Sequence, residues 1–238
     1  MFYVIRLRRL GGVSACICFL LAGFILLRSL GTVRMLRVSD LDAPAPVLVI
    51  DPGHGGFDGG AIAVNGVRES DINLAIAAKL GALAELCGVR TVMTRTDDSR
   101  RTDLLSYSEH EDLVHRARIV NAVPDAVLIS IHQNYYPTTQ PWGGQVLYAD
   151  DPQSTLLGRI VQSNLVEYLQ PENRRLAEPA SPKLFLTSHV ECPAILVECG
   201  FLSNYNEMER LMEEPYQTAL AVVMLASYLQ FLPEFQQI

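Results

Sequence analysis

The sequence predicts an α/β fold in which a mainly parallel, twisted sheet is covered by helices on both faces. Three observations predict it. Short runs of aliphatic and β-branched residues are apolar throughout rather than alternating, segments of helical period separate them, and polar clusters interrupt the pattern where strands should end. A strand that is apolar on both sides must be buried on both sides, and a parallel sheet between two helical layers does this.

The first strand is 47–50 (VLVI), followed by apolar residues at helical spacing over 70–86. A second strand over 89–94 (VRTVMT) precedes a helix over 111–122, and a third over 126–131 (AVLISI) precedes a fourth over 144–148 (GQVLY). A helix over 154–169 follows, then a strand over 194–198 (AILVE) and helices over 205–213 and 215–231. Strand assignments rest on β-branched content and length, helix assignments on the 3.6-residue period. Residues 171–182 (PENRRLAEPASP) carry three prolines and read as a surface loop.

Leu10 to Leu27 are eighteen residues without a charge. As a helix they would reach about 27 Å, close to a hydrocarbon core of about 30 Å and beyond the roughly 7–15 residues of a signal-peptide core. Residues 1–37 are therefore expected to be an N-terminal membrane anchor or an uncleaved signal segment, with cleavage near Ser29-Leu30-Gly31 as the alternative. Residues 38–46 (VSDLDAPAP) form a linker and residues 47–238 a single domain. This build places the domain outside the cytoplasm, anchored or secreted.

Charge is unevenly distributed. Residues 1–37 carry six arginines and no acid, which leaves 13 basic groups against 26 acidic ones in residues 38–238. A domain of formal charge −13 repels phosphate, so nucleic acid is excluded as a partner. The same charge is compatible with a basic accessory protein and with simple solubility. Five scattered cysteines do not make a disulfide framework, although a Cys192–Cys199 bridge stays open.

The strand-end clusters are Asp51-Pro52-Gly53-His54-Gly55-Gly56, Ser130-Ile131-His132-Gln133-Asn134 and Glu198-Cys199-Gly200. In open α/β sheets ligands gather beyond the carboxyl ends of the strands, so these clusters should converge. A phosphate loop is excluded because no helix starts after the glycines and because Asp51 and Asp58 bracket them. Two histidines and a carboxylate form the donor set of an open catalytic zinc site, with His54 and His132 supplying nitrogen and Glu69 oxygen. Taken singly, each histidine also fits a hydrogen-bonded structural role, and Glu69 fits a helix-initiating acid. Glu198, directly after Ile195-Leu196-Val197, is an expensive place for a carboxylate unless a proton or cation accompanies it, and beside an activated water it becomes a general base.

These motifs carry a family resemblance. The Asp51–Gly56 run, Arg68-Glu69-Ser70 with Asn73-Leu74, Ser130-Ile131-His132 with Asn134, and Val197-Glu198-Cys199-Gly200-Phe201-Leu202-Ser203-Asn204 resemble, in order, the zinc-dependent N-acetylmuramoyl-L-alanine amidases of the amidase 3 family. Supporting matches are Thr94 to Asp98, Arg116 before Asn121, and a closing helix with Glu213, Glu214, Tyr216 and Gln217. The resemblance spans about residues 47–231.

It implies a zinc-exopeptidase-like three-layer sandwich, one Zn2+ per chain held by His54, Glu69 and His132, and Glu198 as the catalytic glutamate. The implied reaction is hydrolysis of the amide between the lactyl group of N-acetylmuramic acid and L-alanine, with peptidoglycan as substrate. A short anchor, a single catalytic domain and the Trp142-Gly143-Gly144 segment are similar to germination-specific amidases of spore-formers. That likeness implies cortex trimming for muramic δ-lactam formation, between the forespore and mother-cell membranes. Asp51 would orient a ligand histidine or cap its loop. Asn134 would donate to the substrate carbonyl or fix the turn after His132, and Arg116 would pair with an internal or a substrate carboxylate. Tyr135 and Tyr136 suit sugar faces and equally suit loop packing. A related zinc peptidase and a non-catalytic peptidoglycan-binding domain are the competing readings; the former needs a second set of metal ligands and the latter a broken site.

Overall fold

A computed structural model of the chain describes residues 45–98 and 108–235. The expected anchor over 1–37 and nearly all of the 38–46 linker lie outside the described residues. The elements are β1 (Val47–Pro52), α1 (Glu69–Leu86), β2 (Thr91–Met93), α2 (Glu109–Asn121), β3 (Ala126–Asn134), β4 (Gln145–Tyr148), α3 (Pro152–Tyr168), β5 (Glu178–Pro179), α4 (Phe185–His189), β6 (Ala194–Phe201), α5 (Tyr205–Met212) and α6 (Glu214–Phe235). They form a mixed α/β fold around one six-stranded sheet of order β2-β1-β3-β6-β4-β5.

The buried central strands are the ones whose sequence is apolar throughout. Every residue of β1 is buried, as are the first six of β3 and the first four of β6. Successive side chains leave a strand on opposite faces. Val49 and Leu128 pack with Ala117 and Val120 of α2 and Leu186 of α4, whereas Ile50 reaches toward Gly81 of α1 on the other face. Helix α6 packs on α1 and α3 and ties Tyr228 to the chain before β1, its hydroxyl donating to Pro46 O at 2.7 Å. By length and composition α6 could cross a membrane, but Leu220, Met224, Tyr228 and Phe231 are buried within the fold.

β1, β2, β3 and β6 run parallel. β4 runs antiparallel to β6, and β5 follows β4. The reversal has a local cause: only residues 135–144 connect β3 to β4, with no helix among them, and a parallel crossover needs a dozen or more residues. Two elements beyond the expected set appear, the two-residue β5 inside the expected 171–182 loop and the five-residue α4. Helix starts follow their caps: Ser108 accepts from Glu111 N, Asp151 accepts from Ser154 N ahead of Pro152, and Asn204 accepts from Asn206 N and Glu207 N. Cys192 and Cys199 are free thiols.

The β3–β6 ladder pairs His132 with Glu198 and Asn134 with Phe201, so β6 carries one extra residue between the two pairs. This bulge sits where a local twist re-aims side chains at the mouth of the sheet.

Candidate metal centre and active-site cleft

The site is built on the carboxyl ends of β1, β3 and β6 and on the start of α1. Register places Ser130 opposite Asp51, and the hydroxyl donates to Asp51 Oδ2 at 2.7 Å. Asp51 Oδ1 accepts from Thr94 Oγ1 at 2.5 Å and from Arg116 Nη1 at 2.9 Å. Burial would raise this carboxyl, but the guanidinium and the two hydroxyls outweigh it and hold it below the usual carboxylate range.

Arg116 reaches further. Its Nη1 also donates to Pro52 O at 2.9 Å, its Nη2 to His54 O at 2.6 Å, and its Nε to Asp112 Oδ2 at 2.6 Å. Arg95, buried beside it, donates to the carbonyls of Pro52, Gly53 and Ser70. The carbonyls of the 52–54 turn are thus held by two guanidinium groups, with Asn73 Nδ2 also donating to Gly53 O. This support holds His54 at φ +60°, a left-handed conformation uncommon for a residue with a side chain.

The turn must also pass close under an imidazole. A Cβ at Gly53 would lie 2.2 Å from His132 Nε2, so only glycine fits there.

His54, Glu69 and His132 each offer a donor atom, and the three atoms lie within 4.8 Å of one another. His54 Nε2 is 3.4 Å from Glu69 Oε2, and His132 Nδ1 is 3.0 Å from Glu69 Oε1. The imidazole rings meet edge to face, with centroids 4.9 Å apart. Glu69 opens α1, where the helix dipole favours an anion, and backbone amides fix both its oxygens. Ala61 N donates to Oε2 at 2.9 Å and Gln133 N to Oε1 at 3.0 Å. The second ring nitrogen of His54 is taken by Asp58, with Nδ1 to Oδ2 at 2.6 Å.

This set fits a zinc ion on chemical grounds: two imidazoles, one carboxylate, and an outer carboxylate that fixes the tautomer of a histidine. The local field agrees. Burial disfavours a charged imidazole at His54, yet the hydrogen bonds and charges of Asp58 and Glu69 outweigh it and push His54 up to about 10. The negative charge that favours an imidazolium here also favours a bound cation. Burial would raise the Glu69 carboxyl, but the His132 and His54 hydrogen bonds bring it well below its ordinary value.

Glu198 lies beside this cluster as the register partner of His132. Burial, with the Glu69 charge adding to it and the two histidines opposing it, pushes its carboxyl up to about 7. Its Oε2 is buried without a hydrogen-bond partner, an arrangement that suits a group holding a proton or facing a cation. All four side chains line one cleft of about 350 Å³, together with Asn134, Tyr135, Lys183 and Phe185.

The sequence-derived residues therefore fall into two groups. His54, Glu69, His132 and Glu198 converge. Asp51 and Arg116 pair with each other beneath the loop, and the carboxylate that meets a histidine besides Glu69 is Asp58, four residues after His54, rather than Asp51. Asn134 lines the cleft while its carbonyl accepts from Leu202 N at 2.8 Å. The Asp58 contact and the Arg95 clamp were not found by sequence reasoning. The Asp51/Asp58 bracket and the Thr94–Asp98 motif were the available signals.

A family model described as N-acetylmuramoyl-L-alanine amidase matches residues 48–227 of the chain. The chain is 32% identical over 199 residues to the germination-specific N-acetylmuramoyl-L-alanine amidase of Bacillus subtilis (strain 168), covering 79% of this chain and 80% of that protein. Among solved structures it is similar to the CwlD amidase from Clostridioides difficile, in complex with the GerS lipoprotein. The TM-score there is 0.75 and the identity 31%, over 79% of this chain and 99% of that one. It is also similar to the N-acetylmuramoyl-L-alanine amidase AmiC2 of Nostoc punctiforme, with a TM-score of 0.68 and 28% identity over 79% of this chain and 97% of that one.

Proposed function

The chain belongs to the N-acetylmuramoyl-L-alanine amidase family, and from that premise we propose that it is a zinc-dependent enzyme in which His54, Glu69 and His132 hold the metal and Glu198 moves the proton. The observation that carries this reading is the buried, unpartnered Oε2 of Glu198 beside three converging donors. When bound, zinc supplies a Lewis acid that polarises an amide carbonyl and makes water acidic enough to ionise near neutrality.

The chain's own groups do the rest. Glu198 Oε2 takes a proton from the attacking water and delivers it to the departing alanine nitrogen, which is otherwise too basic to leave. Burial raises the Glu198 carboxyl and a bound cation would lower it, so the two oppose each other at the group that moves the proton. Asp58 holds the Nδ1 proton of His54 and so presents Nε2 as a donor. Arg116 and Arg95 keep the 52–54 turn in place. Asn134, which lines the cleft, would hydrogen-bond the substrate.

The physiological reading is trimming of stem peptides in spore cortex so that muramic δ-lactam can form. The germination-specific relative supports it. Residues 1–37 would hold the domain to a membrane facing the space between forespore and mother cell. The GerS complex of the clostridial relative supports an accessory lipoprotein for this chain as well.

The test is digestion of intact peptidoglycan by the zinc-loaded full-length chain, with mass spectrometry of the products and a metal count. Stem peptides beginning with L-alanine, released with about one zinc per chain and lost on chelation, are the expected result. A chain that binds no zinc would overturn the assignment of the three ligands.

A further inference from the structure

We propose that Tyr135, Tyr136 and Trp142 form a saccharide subsite, an aromatic rim that receives the glycan strand on either side of the muramic acid whose amide is cut. The inference rests on the amidase reading and extends it to how the polymer is held.

The three rings are large and exposed, and all three lie on the segment that joins β3 to β4. Tyr135 and Tyr136 are each 53% exposed and Trp142 is 42% exposed. The tyrosines leave the end of β3, and Trp142 lies three residues before Gln145, the β4 partner of Glu198. β3 and β4 flank β6, so the backbone carrying the tyrosines and the backbone leading from Trp142 meet the sheet on either side of the strand bearing Glu198, two strand spacings or roughly 10 Å apart. Tyr168 and Tyr205 are exposed outside this segment, but three exposed aromatics fall within residues 135–142, and exposed apolar surface gathered on one segment marks a surface that is covered in use.

The segment between them is built rather than loose. Tyr136 N donates to Ser203 Oγ at 3.1 Å, and Asn204 Nδ2 donates to Thr139 O at 2.9 Å. Trp142 O accepts from Arg175 Nε at 3.0 Å, while the same guanidinium lies 4.7 Å over the Phe201 ring. Glu207 Oε2 accepts from both Gly143 N and Phe201 N. Pro137 and Pro141 restrict the chain between the aromatics.

The chemistry of the reaction selects the occupant. The acyl side of the scissile amide is a lactyl group on a sugar ring, so a pyranose must sit within a few bonds of Glu198. Its neighbours in the polymer must then cross the rim of the cleft. A pyranose presents a face of polarised C–H bonds that matches the negative face of an aromatic ring, and its hydroxyls match the phenol and indole polar ends. Tyr135 belongs to both surfaces, lining the cleft and opening the rim.

Trp142 is the sole tryptophan of the chain, so its emission reports this rim alone. Titrating the zinc-loaded full-length chain with a peptide-free GlcNAc–MurNAc tetrasaccharide should give a saturable change in emission. In kinetics, Trp142→Ala and Tyr136→Ala should lower kcat/KM by about tenfold each on strands of four or more sugars, through KM. The loss should shrink as the substrate shortens to a single muramoyl peptide, and Trp142→Phe should restore most of it. An unmoved emission, as expected if the rim docks a protein instead, would overturn the proposal, as would a loss of equal size at every length. The titration needs no variant to fold and no turnover. Saccharide binding without hydrolysis would therefore count against the amidase mechanism alone.

Discussion

His132 and Glu198 are partners across the parallel β3–β6 ladder, one step before the bulge in β6. Because paired residues on parallel strands share a face, the ladder itself brings a candidate metal ligand and the candidate proton carrier to the same side of the sheet. No loop rearrangement is needed to assemble them.

Glu198→Gln should lower turnover by about 10²–10⁴-fold, the range of general acid–base catalysis, while zinc content stays near one per chain. Thermal stability should not fall, because the buried Oε2 surrenders no hydrogen bond. Product analysis, metal count and a melting curve on the same preparation check all three; full activity in the variant would remove Glu198 from the mechanism.

Asp58→Asn keeps the size of the side chain but weakens its hold on His54 Nδ1, at 2.6 Å in the native chain. Outer partners of metal-bound histidines typically matter about 10–100-fold. Zinc affinity, measured by competition with a chromophoric chelator, should drop within that range. An unchanged affinity would mean that Asp58 merely shapes the loop.

Gly53→Ala places a methyl group 2.2 Å from His132 Nε2 and must displace the ring. Overpacking of this kind costs about 1–3 kcal/mol, and here the displaced ring takes zinc binding with it. Gly81→Ala is the matched control. Its nearest neighbour would be 3.6 Å away, so within α1 it should stabilise by about 0.5–1 kcal/mol and leave zinc binding intact. Denaturant titration and metal counting separate the two variants.

Arg116→Met should destabilise the fold by about 3–5 kcal/mol at neutral pH, since it leaves the Asp51 carboxylate buried without its cation. The pH dependence follows from the depressed carboxyl of Asp51. Its ionised form contributes stability above the ordinary aspartate value of 3.8, and that contribution is lost as pH falls through the lower folded value. Asp51→Asn should therefore flatten the acid side of the stability curve. Unfolding free energies at about pH 5 and about pH 2 would show it, and an undiminished slope would place the acid sensitivity in another group.

The legible part of the fold was the part governed by burial. β1, β3 and β6 announced themselves as unbroken apolar runs, and the polar residues that stop them, Asp51 to His54, Ser130 to Asn134 and Glu198 to Gly200, marked the mouth of the sheet. What stayed hidden depends on geometry without periodicity. A four-residue strand such as β4 carries no mark of direction; its orientation comes from the length of the chain before it. The contact of Asp58 with His54 spans four residues of irregular loop containing Gly55 and Gly56 at positive φ, a path that no repeat pattern encodes. Asp51 sits three residues from one histidine in sequence, yet the β1–β3 register turns it toward Ser130 and Arg116 instead.

The sheet closes on both sides with very little edge. β2 pairs three residues with β1, and β5 pairs two with β4. A second copy arriving strand-first would gain a ladder too short to offset the ordering of its own chain, which is how natural sheets resist templating one another. Two copies held at high local concentration would therefore not join through these edges.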